Sequence, residues 1–310
     1  MTSLVSVIIP CHNGAAFIRT AIDSALAQGI GNLEVVVADD GSSDQSPELI
    51  AAYGPPVRLV RVHNGNTQST RNAAIDASRG DLIGLLDQDD AWRAGKLSRQ
   101  LNRLAADPNL GLCYTDTRAV DAQGQELPER HNPLQVPGSR AEALGKLLRI
   151  NYIAASTVVV RRSVLQRVGS FDPAYHLVGD WDLWLRVAES FPIAAEPAVL
   201  LDYCWHADNA SHDRIDLLME SIAVQQAALT RIVHHPRWAA DAGLRPYLPA
   251  ARRKLAARCS ELGHLLARAG RRRDALSWHA RSLALSPWTP RTWSRWLRAL
   301  VSRPRPGHHL

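Results

Sequence analysis

An α/β fold with a largely parallel sheet is predicted, and three observations predict it. Through the first 110 residues, apolar β-branched runs alternate with helix-like stretches. Three of those runs are almost continuously apolar, and polar or acidic clusters follow three of them directly. Strand and helix alternating at this spacing imply a parallel sheet covered on both faces, and a doubly covered sheet requires strands that are apolar on both sides.

Taken in order, residues 5–9 read as the first strand. Residues 15–28 follow as a helix with Ala16, Phe17, Ala21, Ile22, Ala25 and Leu26 on one stripe. Residues 33–38 form the next strand, 44–52 a helix, 57–62 a third strand, 69–78 a helix and 81–86 a fourth strand. Such sheets bind ligands just beyond the C-terminal ends of their strands. Standing there are Pro10-Cys11-His12-Asn13-Gly14, Asp39-Asp40-Gly41-Ser42 and Asp87-Gln88-Asp89-Asp90. Each alone is ordinary turn or capping chemistry; together they put three polar clusters on one edge.

The D-x-D spacing by itself is uninformative. The sequence has two such pairs, Asp87/Asp89 and Asp180/Asp182, and chance alone gives roughly one or two in a chain this rich in Asp. Position is informative, because three carboxylates in four residues directly after an apolar strand repel one another unless a cation sits among them. A divalent metal bridging to phosphate answers that need, and oxygen donors suit Mg2+ or Mn2+.

With 46% apolar and 21% charged residues in 310, disorder as the main state is excluded. No run approaches the roughly 18 apolar residues of a membrane span, and no signal-peptide pattern opens the chain, so a cytosolic protein is expected. Cys11, Cys113, Cys204 and Cys259 lie far apart without a C-x-x-C, which suggests neither a disulfide framework nor a thiolate zinc site. Charge divides the chain in two. Residues 1–210 hold 18 Lys+Arg against 24 Asp+Glu, whereas residues 211–310 hold 18 against 6. Two regions are expected, 1–210 and a basic, helical 211–310.

The order and spacing of several blocks resemble the family 2 glycosyltransferases of the GT-A fold. The blocks are 5–10 with His12-Asn13-Gly14, 21–28, 33–44, 70–75, 77–81, 86–92, 156–162 and 179–186, and the likeness runs through about residue 210. The resemblance implies an inverting transfer of sugar from a nucleotide-diphosphate sugar, a UDP-sugar being expected, to an acceptor hydroxyl of a glycan or lipid-linked molecule, as in bacterial-type cell-surface polysaccharide synthesis. It implies a nucleotide site of Pro10, His12, Asn13, Asp39, Asp40, Arg71 and Asp87, with Asp40 accepting from the base. Asp89 would ligate the metal, Mn2+ or Mg2+, with Asp90 as helper or actual ligand and His206 touching metal or diphosphate. Asp180 would be the base; the plainer alternative is that it only caps a helix over 181–190, and the two roles are compatible.

Three departures from the family pattern stand out. His12 occupies a position that is often Tyr or Phe, Gly179 replaces the Glu of a Glu-Asp pair, and Cys204 replaces a common Arg. Two rival classes remain in view. A nucleotidyltransferase would need a basic Gly-rich loop after the first strand, and residues 10–14 contain no Lys or Arg. A non-catalytic nucleotide-sugar-binding scaffold is opposed by the joint presence of Asp40, Asp89 and Asp180.

Beyond about residue 213 the chain turns Ala/Leu/Arg-rich, with amphipathic helices over 213–233 and 249–269. A further helix over 272–285 completes a hairpin resembling one tetratricopeptide-like unit, and one unit is no array. Residues 288–305 interleave Trp288, Trp293 and Trp296 with five arginines. That pattern fits peripheral contact with an anionic membrane, at its inner face, or a packed terminal helix. No nucleic-acid motif accompanies the charge.

Overall fold

The computed structural model describes residues 3–128, 133–206, 214–287 and 293–297. The chain divides into two compact units, residues 1–147 with 151–209, and residues 148–150 with 210–310.

The first unit is built on an eight-stranded sheet. Its strands are β1 (Val5–Cys11), β2 (Leu33–Asp40), β3 (Val57–Val62), β4 (Leu82–Leu85), β5 (Ala91–Trp92), β6 (Leu112–Val120), β7 (Val159–Arg161) and β8 (Ile193–Cys204), in the order β3-β2-β1-β4-β7-β6-β8-β5. The first four are mutually parallel, and β1 is flanked on both sides, Val5 lying opposite Leu33 and Leu82. That central place explains the Val/Ile run, every residue of which is buried. Ser6 is the buried polar exception, and its hydroxyl is satisfied by donating to Glu34 at 2.6 Å and accepting the Gly80 N–H at 2.7 Å. Strand β7 runs antiparallel to β4 and β6, and β5 antiparallel to β8, so the second half of the sheet is mixed.

Helices α1 (Ile18–Leu26), α2 (Ser46–Ala51), α3 (Thr67–Ala77), α4 (Lys96–Ala106), α5 (Arg140–Leu147), α6 (Arg162–Val168) and α7 (Gly179–Ser190) belong to the same unit. Helix α1 starts at Ile18 rather than at residue 15, because Gly14 accepts the Phe17 and Ile18 N–H groups in a tight turn. Asn13, at φ 48°, enters that turn in the left-handed region. Helix α3 starts at Thr67, two residues earlier than expected, since Asn66 caps it by accepting the Gln68 and Ser69 N–H groups. Helix α7 starts at Gly179, so Asp180 lies in its first turn. The expectation that Asp180 caps this helix is corrected: the cap position is Val178, which makes no side-chain cap bond.

The second unit contains α8 (Arg214–His234), α9 (Pro236–Ala239), α10 (Leu248–Arg268) and α11 (Arg272–Leu285). Gly270, at φ +78°, turns the chain between α10 and α11. Close approach of those helices requires Gly263, where a Cβ would stand 2.9 Å from the Ala275 carbonyl oxygen. The fully buried Gln225 donates to the Leu148 and Ala251 carbonyls at 2.8 and 2.9 Å and accepts from Arg258. Of the tryptophan-arginine segment 288–305, only 293–297 lies among the described residues. There Trp293 meets Trp296 edge-on at 5.9 Å, and Arg295 donates to Ser260. Among the described residues, no helix is long and apolar enough to cross a membrane.

Candidate active site

The C-terminal ends of β1, β2 and β4 form one edge, and the three polar clusters meet there through side-chain bonds. Gln88, between the two aspartates of the acidic turn, clamps the backbone of His12. Its Oε1 accepts the His12 N–H at 2.9 Å and its Nε2 donates to the His12 carbonyl at 3.2 Å. Gly14 is required beside it, since a Cβ there would stand 2.5 Å from Gln88 Oε1. Asn13 joins the first loop to the second, its N–H donating to Ser42 Oγ and its Oδ1 accepting the Ser43 N–H. The His12 ring contacts the Asp40 carbonyl oxygen through Nδ1 at 2.8 Å. Pro10 pairs with Ala38 between these loops.

The adjacent aspartates ending β2 differ in what they do. The Asp40 carboxylate accepts the Asn64, Gly65 and Asn66 N–H groups and the Thr70 hydroxyl. Burial works against its charge, and these bonds outweigh burial and hold its pKa below the usual carboxylate value. Asp40 is therefore committed to the loop between β3 and α3. Asp39 is 2% exposed; one oxygen accepts the Ser42 N–H, and the other, Oδ1, is buried without a hydrogen-bond partner. The buried acceptor without a hydrogen-bond partner thus lies on Asp39 rather than Asp40.

Arg71 projects from α3 and is buried. Its Nη2 donates to Asp87 Oδ1 at 2.5 Å, its Nη1 donates to Gln68 Oε1 at 3.0 Å, and its guanidinium lies 5.4 Å from the Phe171 ring centroid. Burial opposes the charge, yet Asp87, followed by Asp180 and Asp89, raises the arginine's pKa above its ordinary value. The Asp87 backbone N–H donates to Ser156 Oγ, which fixes the start of the acidic turn.

Asp89 Oδ2 and His206 Nε2 are 3.0 Å apart, and the imidazole stacks on Phe17 at 4.8 Å. Burial, then Asp87, pushes the Asp89 carboxyl above its usual value. Asp90 is 2% exposed and its carboxylate accepts the Cys204 N–H at 3.0 Å, joining the turn to the end of β8. Burial, then Asp89 and Asp87, drives its pKa well up. That tie gives Asp90 a structural bond and leaves Asp89 and His206 as the candidate metal-facing pair.

Among the described residues, no group of three His, Cys, Asp or Glu side chains could hold an ion by itself. A two-donor set still fits Mn2+ or Mg2+, because such cations are held by one or two protein ligands with phosphate oxygens and water supplying the rest. Repulsion from the neighbouring aspartates, which adds to the burial that raises Asp89 and Asp90, is what a bound cation would relieve.

Asp180 lies near Arg71, half-buried in the first turn of α7. Its Oδ2 accepts from Asn151 Nδ2 at 2.9 Å and its Oδ1 from the Trp181 N–H at 2.7 Å. Burial raises its pKa to about 6 against the opposing pull of Arg71. Asp182 pairs instead with Arg186 at 2.7 Å. Sequence reasoning assigned no role to Gln88, Ser156 and Tyr203, though they lie in the segments it singled out, and passed over Gln68 and Asn151. The Tyr203 phenol is raised by burial and then by Asp90, Asp89, Asp87 and Asp180, which places it in the field of all four carboxylates. Nothing in the sequence marks Asn151, whereas Gln88 is flanked by the acidic residues.

A sheet parallel through its first four strands, with an acidic turn at the C-terminal edge and the half-buried Asp180 near it, is the arrangement of a nucleotide-sugar transferase of the GT-A class. Residues 6–169 match the model of Glycosyl transferase family 2, and the chain belongs to that family. It is 29% identical over 223 residues to an uncharacterized glycosyltransferase of Rickettsia prowazekii, covering 70% of this chain and 69% of that one. It is 31% identical over 212 residues to one of Rickettsia felis, covering 67% of this chain and 35% of that one. A chondroitin synthase of Pasteurella multocida is 29% identical over 216 residues, so the match covers 69% of this chain but only 22% of the synthase. Among solved structures, S. aureus TarS 1–349 in complex with UDP-GlcNAc superposes with a TM-score of 0.63 at 15% identity, over 96% of this chain and 79% of that one. The mannosyltransferase PcManGT of Pyrobaculum calidifontis, in complex with GDP-Man and Mn2+, gives 0.56 at 20% identity, over 97% and 86%. These likenesses establish the GT-A fold.

Proposed function

We propose that the chain is an inverting glycosyltransferase that moves a sugar from a UDP-sugar to an acceptor hydroxyl in cell-surface polysaccharide or glycoconjugate synthesis. The observation that carries this reading is Asp180: a carboxylate with a pKa of about 6, oriented by Asn151, in the field of Arg71 and the acidic turn. A carboxylate so tuned is ionised at neutral pH yet basic enough to accept a proton in the transition state.

In that reading the acceptor oxygen attacks the anomeric carbon from the face opposite the leaving diphosphate. The new carbon–oxygen bond forms as the bond to diphosphate breaks, and the acceptor proton passes to Asp180. Asp39 Oδ1 takes the base N–H, and the loop of Pro10, His12 and Asn13, held by Gln88, lines the nucleoside. Arg71 and Asp87 orient the ribose and diphosphate. Asp89 and His206 would hold Mn2+ or Mg2+, which when bound offsets the charge on the departing diphosphate. The acceptor is a glycan or lipid-linked molecule, with residues 288–305 contacting an anionic membrane beside it. UDP-GlcNAc in the TarS complex, the chondroitin synthase name of the Pasteurella multocida relative and Mn2+ in the PcManGT complex belong to those proteins and favour this reading.

The test is calorimetry and UDP release with UDP-glucose, UDP-galactose, UDP-GlcNAc and UDP-GalNAc, each with Mn2+. Turnover of one of them supports the reading. Failure of all four to bind, with GDP-mannose bound instead, would overturn the UDP assignment.

A further inference from the structure

Gln68 is 2% exposed and uses both ends of its amide: Oε1 accepts from Arg71 Nη1 at 3.0 Å, and Nε2 donates to the His176 carbonyl at 3.1 Å. The side chain fits because residue 179 has no Cβ; one built there would stand 2.7 Å from Gln68 Cδ and 2.8 Å from Cγ. Gly179 is thus one half of a packed pair.

The α3 cap residue Asn66 and Asn72 on α3 hold the same segment. Asn66 Nδ2 donates to the Pro173 carbonyl at 2.9 Å, while Asn72 donates to the Phe171 carbonyl and accepts the Phe171 N–H. The start of α3 is itself fixed by the Asp40 carboxylate. Of these three side chains, Gln68 is the one that also bonds the Arg71 guanidinium. It therefore links the cation of the acidic turn to backbone only four residues before Asp180.

We propose that Gln68, seated in the space left by Gly179, is a positioning residue that sets residues 171–180 and the Asp180 carboxylate against Arg71. This rests on the reading of Asp180 as the base. Misplacing a reacting group by a fraction of an ångström lowers the rate more than it lowers affinity, so the expected signature is a loss in kcat.

Gln68→Met keeps the volume and removes both bonds, and Asn66 and Asn72 remain to hold the fold. Hydrogen–deuterium exchange of the unliganded protein should show residues 171–180 exchanging about fivefold faster in Gln68→Met, as expected for the loss of about 1 kcal/mol of bonding, with residues 5–40 unchanged. Gly179→Ala, which drives the side chain out, should do the same. With the UDP-sugar that the parent turns over and a p-nitrophenyl glycoside acceptor, Gln68→Met should lower kcat about tenfold and leave the donor KM within twofold. Unchanged exchange, or kinetics within twofold of the parent, overturns the proposal; so does a rise in donor KM as large as the fall in kcat. A parent protein that turns over no donor would sink the catalytic reading of Asp180, and the exchange experiment would still decide whether Gln68 holds the segment.

Discussion

Arg71 Nη2 and Asp87 Oδ1 lie 2.5 Å apart, and the same guanidinium is within the electrostatic reach of Asp180 and Asp89. One buried cation thus serves carboxylates on the acidic turn and at the head of α7. Removing only one partner of such a pair leaves buried charge uncompensated, so loss of Arg71 acts on both.

Arg71→Gln is expected to move the acid limb of the pH–activity profile upward from about 6. The sign follows from the coupling: burial raises the Asp180 pKa and Arg71 lowers it, so without the arginine the carboxylate takes its proton at higher pH. The profile of kcat/KM against pH checks this, and an unmoved limb would contradict it.

Asp39 and Asp40 should separate by what they damage. Asp40→Ala removes the acceptor of three backbone N–H groups of residues 64–66 and leaves the Thr70 hydroxyl only the Asn66 carbonyl, and is expected to destabilise the fold by about 2 kcal/mol. Asp39→Asn should leave the melting temperature near that of the parent while weakening UDP binding about tenfold, because the unmatched Oδ1 is the base acceptor in this account. Thermal denaturation and UDP calorimetry distinguish the two.

Metal should matter through Asp89 and His206. In the parent, Mn2+ is expected to raise UDP affinity, and chelation to remove the gain. Asp89→Ala should bind UDP with an affinity that no longer responds to Mn2+, while His206→Ala should retain a reduced response. An Asp89→Ala protein whose affinity still rises with metal would contradict the assignment.

The strands legible in the sequence were the first four, three of them apolar runs buried nearly throughout. Strands β1, β2 and β4 announce themselves as apolar runs because flanking strands and covering helices leave them no polar face. Strand β6, with Thr115, Asp116, Thr117 and Arg118, carries no such run. It is set by its long-range parallel pairing with β8, which has register shifts on either side of Asp116. Residue type alone was enough to single out the candidate site's aspartates. Which of two neighbouring aspartates keeps a free oxygen was not legible, since that depends on where the loop 64–66 folds back. Nor was the pairing of Gln68 with Gly179, because a missing Cβ carries meaning only once its neighbour across space is known.

The central claim is that Asp180 takes the proton from the acceptor, and its most direct test is the pH dependence of transfer in the parent and in Asp180→Asn. The parent should lose activity as pH falls through about 6, the carboxylate being the active form above that value. Asp180→Asn should bind UDP like the parent, turn over roughly a hundred- to ten-thousand-fold more slowly, and lack that acid limb. A variant that turns over like the parent with the limb intact would show that the proton goes elsewhere.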